Sequence, residues 1–109
     1  SVIQKNNIYP YLAVLKLYGE KNDNYISFPI RGYSLALDFK RNDETVDMIK
    51  NLDALVVKHG GRVYLTKDAQ INESNFKKMY PESENFVSIR KKYGLDEKMK
   101  SSQSMRIGI

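Results

Sequence analysis

The sequence has no cysteine and no tryptophan, a single histidine and three prolines in 109 residues. Without a thiol there can be no disulfide, no thiolate metal site and no cysteine nucleophile. One imidazole, His59, cannot build a multi-histidine metal centre. No apolar run approaches the ~20 residues that a membrane-spanning helix needs, and no signal-peptide pattern opens the chain. A Gly-rich phosphate loop is also lacking, because Gly60-Gly61 is short and precedes a β-rich run where such a loop would precede a helix. No order of Ser, His and Asp suggests a nucleophilic triad. The acidic pair Asp43-Glu44 falls where a helix begins and is explained by capping.

What is present is the composition of a globular domain: 41% apolar residues, 28% charged, and eight tyrosines against four phenylalanines. The length suits one core. Eighteen basic and thirteen acidic residues give a formal charge of +5. That balance permits an anionic partner such as a phosphate, nucleic acid or lipid headgroup, although most such excesses are solvated surface. A first residue Ser1 in place of Met fits a processed or truncated product.

Residues 1–10 are polar and mixed and read as a lead-in to a domain over 11–109. Tyr11 to Tyr18 is β-rich and predicts a strand ended by Gly19; Tyr25 to Phe28 predicts a short paired strand stopped by Pro29. Tyr33 to Lys40 alternates strictly and predicts another strand. Asn42 or Asp43 caps a helix carrying Val46, Ile49, Leu52, Leu55 and Val56, which Gly60 closes, so that His59 is a last-turn residue and not a base. Arg62 to Lys67 predicts a strand with Lys67 and Asp68 at its end. Asn72 caps a short helix with Phe76 and Met79, and a further helix carries Phe86, Ile89 and Tyr93 up to Gly94. The tail from Asp96 reads as irregular.

Alternate strand residues point to opposite faces. Ala13, Leu15, Leu17, Tyr33, Leu35, Leu37, Phe39, Val63 and Leu65 form the set expected to receive the helices. Leu12, Val14, Lys16, Tyr18, Ser34, Ala36, Asp38, Arg62, Tyr64 and Thr66 form a mixed face, more like a surface awaiting a ligand or another layer than a solvated one. The expected fold is therefore α+β: an antiparallel sheet of about three to four strands, a ferredoxin-like half, with helices on one face and the other face open. The same basic and aromatic sheet residues also describe a single-strand nucleic-acid platform, against which stand the interleaved Leu12, Val14 and Ala36 and the lack of a dense basic stripe. A third reading is a self-associating structural domain.

The runs Val14-Leu15-Lys16-Leu17-Tyr18-Gly19, Ser27-Phe28-Pro29, Gly32-Tyr33-Ser34-Leu35-Ala36-Leu37-Asp38-Phe39 and Gly60-Gly61-Arg62-Val63-Tyr64-Leu65-Thr66-Lys67-Asp68 occur in one order. Together with Phe76, Met79-Tyr80-Pro81, Phe86 and Ile89-Arg90, they resemble the C-terminal end of FAD-linked oxidases of the vanillyl-alcohol-oxidase type. The decaprenylphosphoryl-ribose oxidase branch looks nearest, with sugar-lactone and alditol oxidases more distant. The resemblance runs from about Tyr11 to the end of the chain.

It implies a fragment of the substrate domain that caps a flavin, with FAD as cofactor, an N-terminal FAD-binding domain of the same parent chain as partner, and a sugar or prenyl-phospho-sugar as substrate. Such a fragment is expected to be inactive alone and to self-associate, with no nucleic-acid partner. The parent is expected to be cytoplasmic or a peripheral membrane protein. By the same resemblance, Lys67 and Tyr64 stand beside the flavin as catalytic and cofactor-binding residues, and Lys16, Ser34, Ala36 and Asp38 line the substrate pocket. Ser34 and Ala36 stand where the ribose oxidases carry Asn and often Cys, and Tyr64-Leu65 where lactone oxidases carry His-Trp. Hydride transfer to a flavin leaves negative charge on the reduced ring, which a fixed ammonium would stabilise; that role falls to Lys67. Tyr64 and Lys67 lie three apart, however, and in a straight strand would point to opposite faces.

Overall fold

The computed structural model describes residues 2–109. Ser1, the start of the expected lead-in, lies outside the described residues. The rest of that lead-in is not wholly irregular, since Val2–Asn6 forms a short helix, α1. The architecture is α+β with one open antiparallel sheet, β1 (Leu12–Tyr18) and β2 (Gly32–Asp38). The pairing runs from Leu12 opposite Asp38 through Lys16 opposite Ser34 to Tyr18 opposite Gly32. Among the described residues the sheet has two strands, where about three to four were expected.

The two strands that fail to form do so for visible reasons. In residues 22–28, Asn24 N–H donates to the Asn22 side chain and Ser27 N–H to Asn24 O, which closes turns; the Ser27 carbonyl accepts from Arg62 Nη1 at 2.6 Å in place of a ladder partner. In the 62–67 run, Val63 N–H points at Met79 Sδ and Val63 O accepts from Tyr80 Oη at 2.7 Å. Side chains thus satisfy the backbone groups that a neighbouring strand would have used. Beyond Tyr64 the chain winds into a 3₁₀ turn, Leu65–Lys67, with Lys67 N–H donating to Tyr64 O.

Helix α2 (Asp43–Lys58) starts as its sequence dictates, with Asn42 Oδ1 accepting from Thr45 N–H at 2.8 Å. At its other end Gly60 adopts φ 68°, Gly60 N–H donates to Val57 O and Gly61 N–H to Val56 O. This is the Schellman arrangement, which needs a left-handed residue at the Gly60 position. His59 Nδ1 donates to Leu55 O at 2.8 Å, so the single imidazole serves the helix end. Helices α3 (Glu73–Met79), capped by Asn72, and α4 (Ser83–Lys92) follow as expected. The tail is more ordered than expected: α5 (Leu95–Lys98) and α6 (Ser102–Ile107) form, the latter through a capping box between Ser101 and Ser104.

The core sits in the helical half. Ile71, Phe76, Met79, Tyr80 and Ile107 are buried together, with Val56, Val57, Val63 and Leu65 packed on them. The expected core face of the sheet is instead its open face, with Leu15, Leu17, Tyr33 and Leu35 all exposed. The hairpin therefore projects from the body, and the radius of gyration of 15.1 Å exceeds the ~13 Å expected for a chain of this length.

On α2, Asp53 is buried at 7% exposure, and burial, reinforced by the charge of Asp68, pushes its carboxyl up to about 6 from 3.8. The protonated form is favoured by folding, so this group's stabilisation is complete below about pH 4 and is lost as pH rises through about 6. The linkage amounts to about 3 kcal/mol at most. Asp53→Asn is expected to gain stability relative to wild type as pH rises from 4 to 7, which urea unfolding of both chains across that range would measure.

Candidate functional site

The turn at Leu65–Lys67 decides the geometry. A 3₁₀ helix has three residues per turn, so residues three apart lie on one side. Tyr64, the extended residue that leads into this turn, and Lys67, which ends it, both reach the mixed face of the hairpin, Lys67 directly and Tyr64 through Phe28. Lys67 Nζ lies 3.8 Å from Asp38 Oδ1 at one end of the hairpin. At the other end the Tyr64 ring packs on Phe28 with centroids 5.0 Å apart, and Phe28 meets Tyr18 edge-on at 5.6 Å. Lys16 and Ser34 face each other mid-strand on this same face, and Val14 opposes Ala36 beside them.

All six expected site residues thus share one face and its rim. Lys67 and Asp38 are in direct contact; Lys16 and Ser34 are cross-strand neighbours; Tyr64 joins through Phe28. Lys16 makes no ion pair among the described residues. The Lys67 side chain is 60% exposed, so its ion pair with Asp38 contributes little to stability and leaves the ammonium open to a ligand. Ser34 and Ala36 are small and half-buried on this face.

The turn is braced from behind. Asp68 Oδ1 accepts from Gln70 and Ile71 N–H, and its Oδ2 from Arg106 Nη2 at 2.9 Å. Burial alone would raise the Asp68 carboxyl, and it is the largest influence; the two amides and the guanidinium together outweigh it and hold the group below the usual carboxylate range. Arg106 Nη1 also donates to Ile71 O, and Gln103 Nε2 donates to Leu65 O inside the turn itself. Asp68, expected at the end of a strand, is consequently an anchor, its side chain 2% exposed.

Sequence reasoning gave no role to Phe28, Arg106 or Gln103. Phe28 could have been suspected from Ser27-Phe28-Pro29, an aromatic held next to a proline. The two tail residues carry no local signal, because their partners lie 38 positions away.

Among the described residues, no helix is long and apolar enough to cross a membrane. No family model matches the chain. Over 105 residues it is 32% identical to decaprenylphosphoryl-beta-D-ribose oxidase of Mycolicibacterium smegmatis, covering 96% of this chain and 23% of that protein. It is 29% identical over 98 residues to an uncharacterized protein in the mprA 5' region of Streptomyces coelicolor, covering 89% of this chain and 27% of that protein. The chain thus spans about a quarter of the length of these relatives.

Proposed function

We propose that this chain is the C-terminal, substrate-domain part of an FAD-dependent oxidoreductase that oxidises a hydroxyl of a sugar or sugar-phospholipid. The observation that carries this is the convergence of Tyr64 and Lys67 on the hairpin face that holds Lys16, Ser34, Ala36 and Asp38. The likeness to an oxidase along nearly the whole chain supports it.

The residues present suit a flavin. The face carries an exposed ammonium at its Asp38 end, a half-exposed phenol reached through Phe28 at its Tyr18 end, and the small side chains of Ser34 and Ala36 along the strand between. A bound flavin would supply the acceptor for the hydride leaving the carbinol carbon. Lys67 would place fixed positive charge where negative charge develops, an effect strongest in a site closed to water. Asp38, at 3.8 Å, limits where the Lys67 ammonium can swing. Tyr64, held by Phe28, would present its hydroxyl to the substrate from a fixed ring. Lys16, with Ser34 opposite, would bind substrate oxygens or a phosphate.

The nucleic-acid reading finds less support. Arg62, one of its basic contacts, is already committed to Ser27 O and lies over the Tyr80 ring at 5.2 Å, while Tyr64 is packed on Phe28.

Purified full-length parent is expected to be yellow with near-stoichiometric FAD, while residues 1–109 alone retain none. A colourless parent would contradict the proposal.

A further inference from the structure

At the end of the hairpin where Leu12 pairs with Asp38, the chain forms an open cavity of about 210 Å³. It lies between the last residues of the β2 segment, the first turns of α2 and the stretch after the 3₁₀ turn. Phe39, Val46 and Ile49 give it apolar walls, and Gln70 Nε2, donating to Val46 O at 2.9 Å, ties the turn side to the helix side. Among the described residues three charged side chains line it: Asp38, Lys67 and Arg41. Asp38 and Lys67 offset each other at 3.8 Å, so the excess charge of the cavity is that of Arg41. The Arg41 guanidinium makes no ion pair and no hydrogen bond among the described residues. Asp43 and Glu44, which follow it at the start of α2, do not line the cavity. Thr45 does; it is 2% exposed, and its Oγ1 is buried without a hydrogen-bond partner. A buried hydroxyl left in this state is costly, and a ligand oxygen brought within its reach removes the cost.

We propose that this cavity is a phosphate subsite in which Arg41 receives the phosphate of a sugar-phospholipid whose sugar lies on the mixed face of the hairpin. The inference rests on the proposed function for the identity of the molecule that carries the phosphate. Asp38 and Lys67 belong to both places, so a ligand on the sheet face has its next group at the mouth of the cavity. A guanidinium offers a planar fork of donors that matches two phosphate oxygens. Apolar walls strengthen that attraction relative to water. Lys16, in the middle of β1 opposite Ser34, is then left to the sugar oxygens.

The test uses the full-length parent as wild type, Arg41→Ala and Arg41→Lys. The two probes are a prenyl-phospho-ribose analogue and the corresponding prenyl riboside without phosphate. In calorimetric titrations Arg41→Ala is expected to weaken binding of the phosphate-bearing probe by about ten-fold and of the phosphate-free probe by less than about two-fold. Arg41→Lys is expected to recover part of the loss, since it keeps the charge without the fork. Arg41→Gln serves as the second variant if Arg41→Ala does not fold. Equal weakening of both probes, or of neither, would overturn the proposal. So would a wild-type protein that binds the two alike or binds neither, because Arg41 would then serve another partner, such as an acidic side chain of the parent. Flavin content reports separately on the proposed function. A colourless parent that still discriminates the probes through Arg41 removes that reading alone. A yellow parent whose flavin the phosphate-bearing probe bleaches, with KM unchanged in Arg41→Ala, removes the subsite alone.

Discussion

On the proposed function, Lys67→Ala in the full-length parent is expected to slow substrate-driven reduction of a bound flavin by about 100- to 1000-fold, a loss of about 3–4 kcal/mol of transition-state stabilisation. The size follows from what is removed: one preorganised charge aimed at the place where charge develops. Lys67 has no other heavy duty in the fold. Its side chain is 60% exposed, its ion pair with Asp38 is 3.8 Å long, and the turn that carries it is held by Gln103 and by the Asp68–Arg106 pair. The variant should therefore keep its flavin and its melting temperature while losing rate. Lys16→Ala separates the two cationic roles. If Lys16 binds substrate oxygens, its loss raises KM more than it lowers kcat. Anaerobic rapid-mixing spectra of the three proteins, taken over a range of substrate concentrations, provide the comparison. A Lys67→Ala enzyme reduced at the wild-type rate would remove the residue from the site.

The second large effect concerns the fold. Phe76→Ala is expected to destabilise this chain by about 3–5 kcal/mol. Phe76 is 0% exposed, stacks at 5.3 Å on the fully buried Tyr80 and sits among Ile71, Met79 and Ile107. Such a loss is a large fraction of the stability of a small domain. Leu35→Ala, at a residue 59% exposed, should cost under about 1 kcal/mol in the same chain. Urea unfolding of the two variants measures both numbers. The opposite ranking would return the core to the hairpin and contradict the helical core described above.

The contrast between these two positions shows where sequence patterning succeeds. Local rules were sufficient for α2: Asn42 as cap, Gly60 in a left-handed conformation and His59 on the last turn are all choices made within a few residues. The two faces of the hairpin were also legible, because alternation assigns Leu15 and Lys16 to opposite sides whatever packs on them. Which face is covered was not legible, since that depends on where the rest of the chain goes. The same limit explains the 62–67 run. Its residues favour a strand, but Tyr80 and Met79 take up the backbone groups of Val63, and the chain turns at Leu65.

For the candidate site, the resemblance pointed to Lys16, Tyr64 and Lys67, and the objection to the joint use of Tyr64 and Lys67 lay in the assumed strand. The 3₁₀ turn removes that objection. The brace behind the turn was hidden in a tail that reads as irregular, because Arg106 meets Asp68 only after the chain has closed on itself.

The most direct test of the functional reading is the absorbance spectrum of the full-length parent during anaerobic titration with prenyl-phospho-ribose analogues and sugar alcohols. The account predicts a flavin band that bleaches stoichiometrically with one of these compounds. A flavin that stays oxidised with every one of them, in an enzyme that dithionite reduces fully, would contradict it.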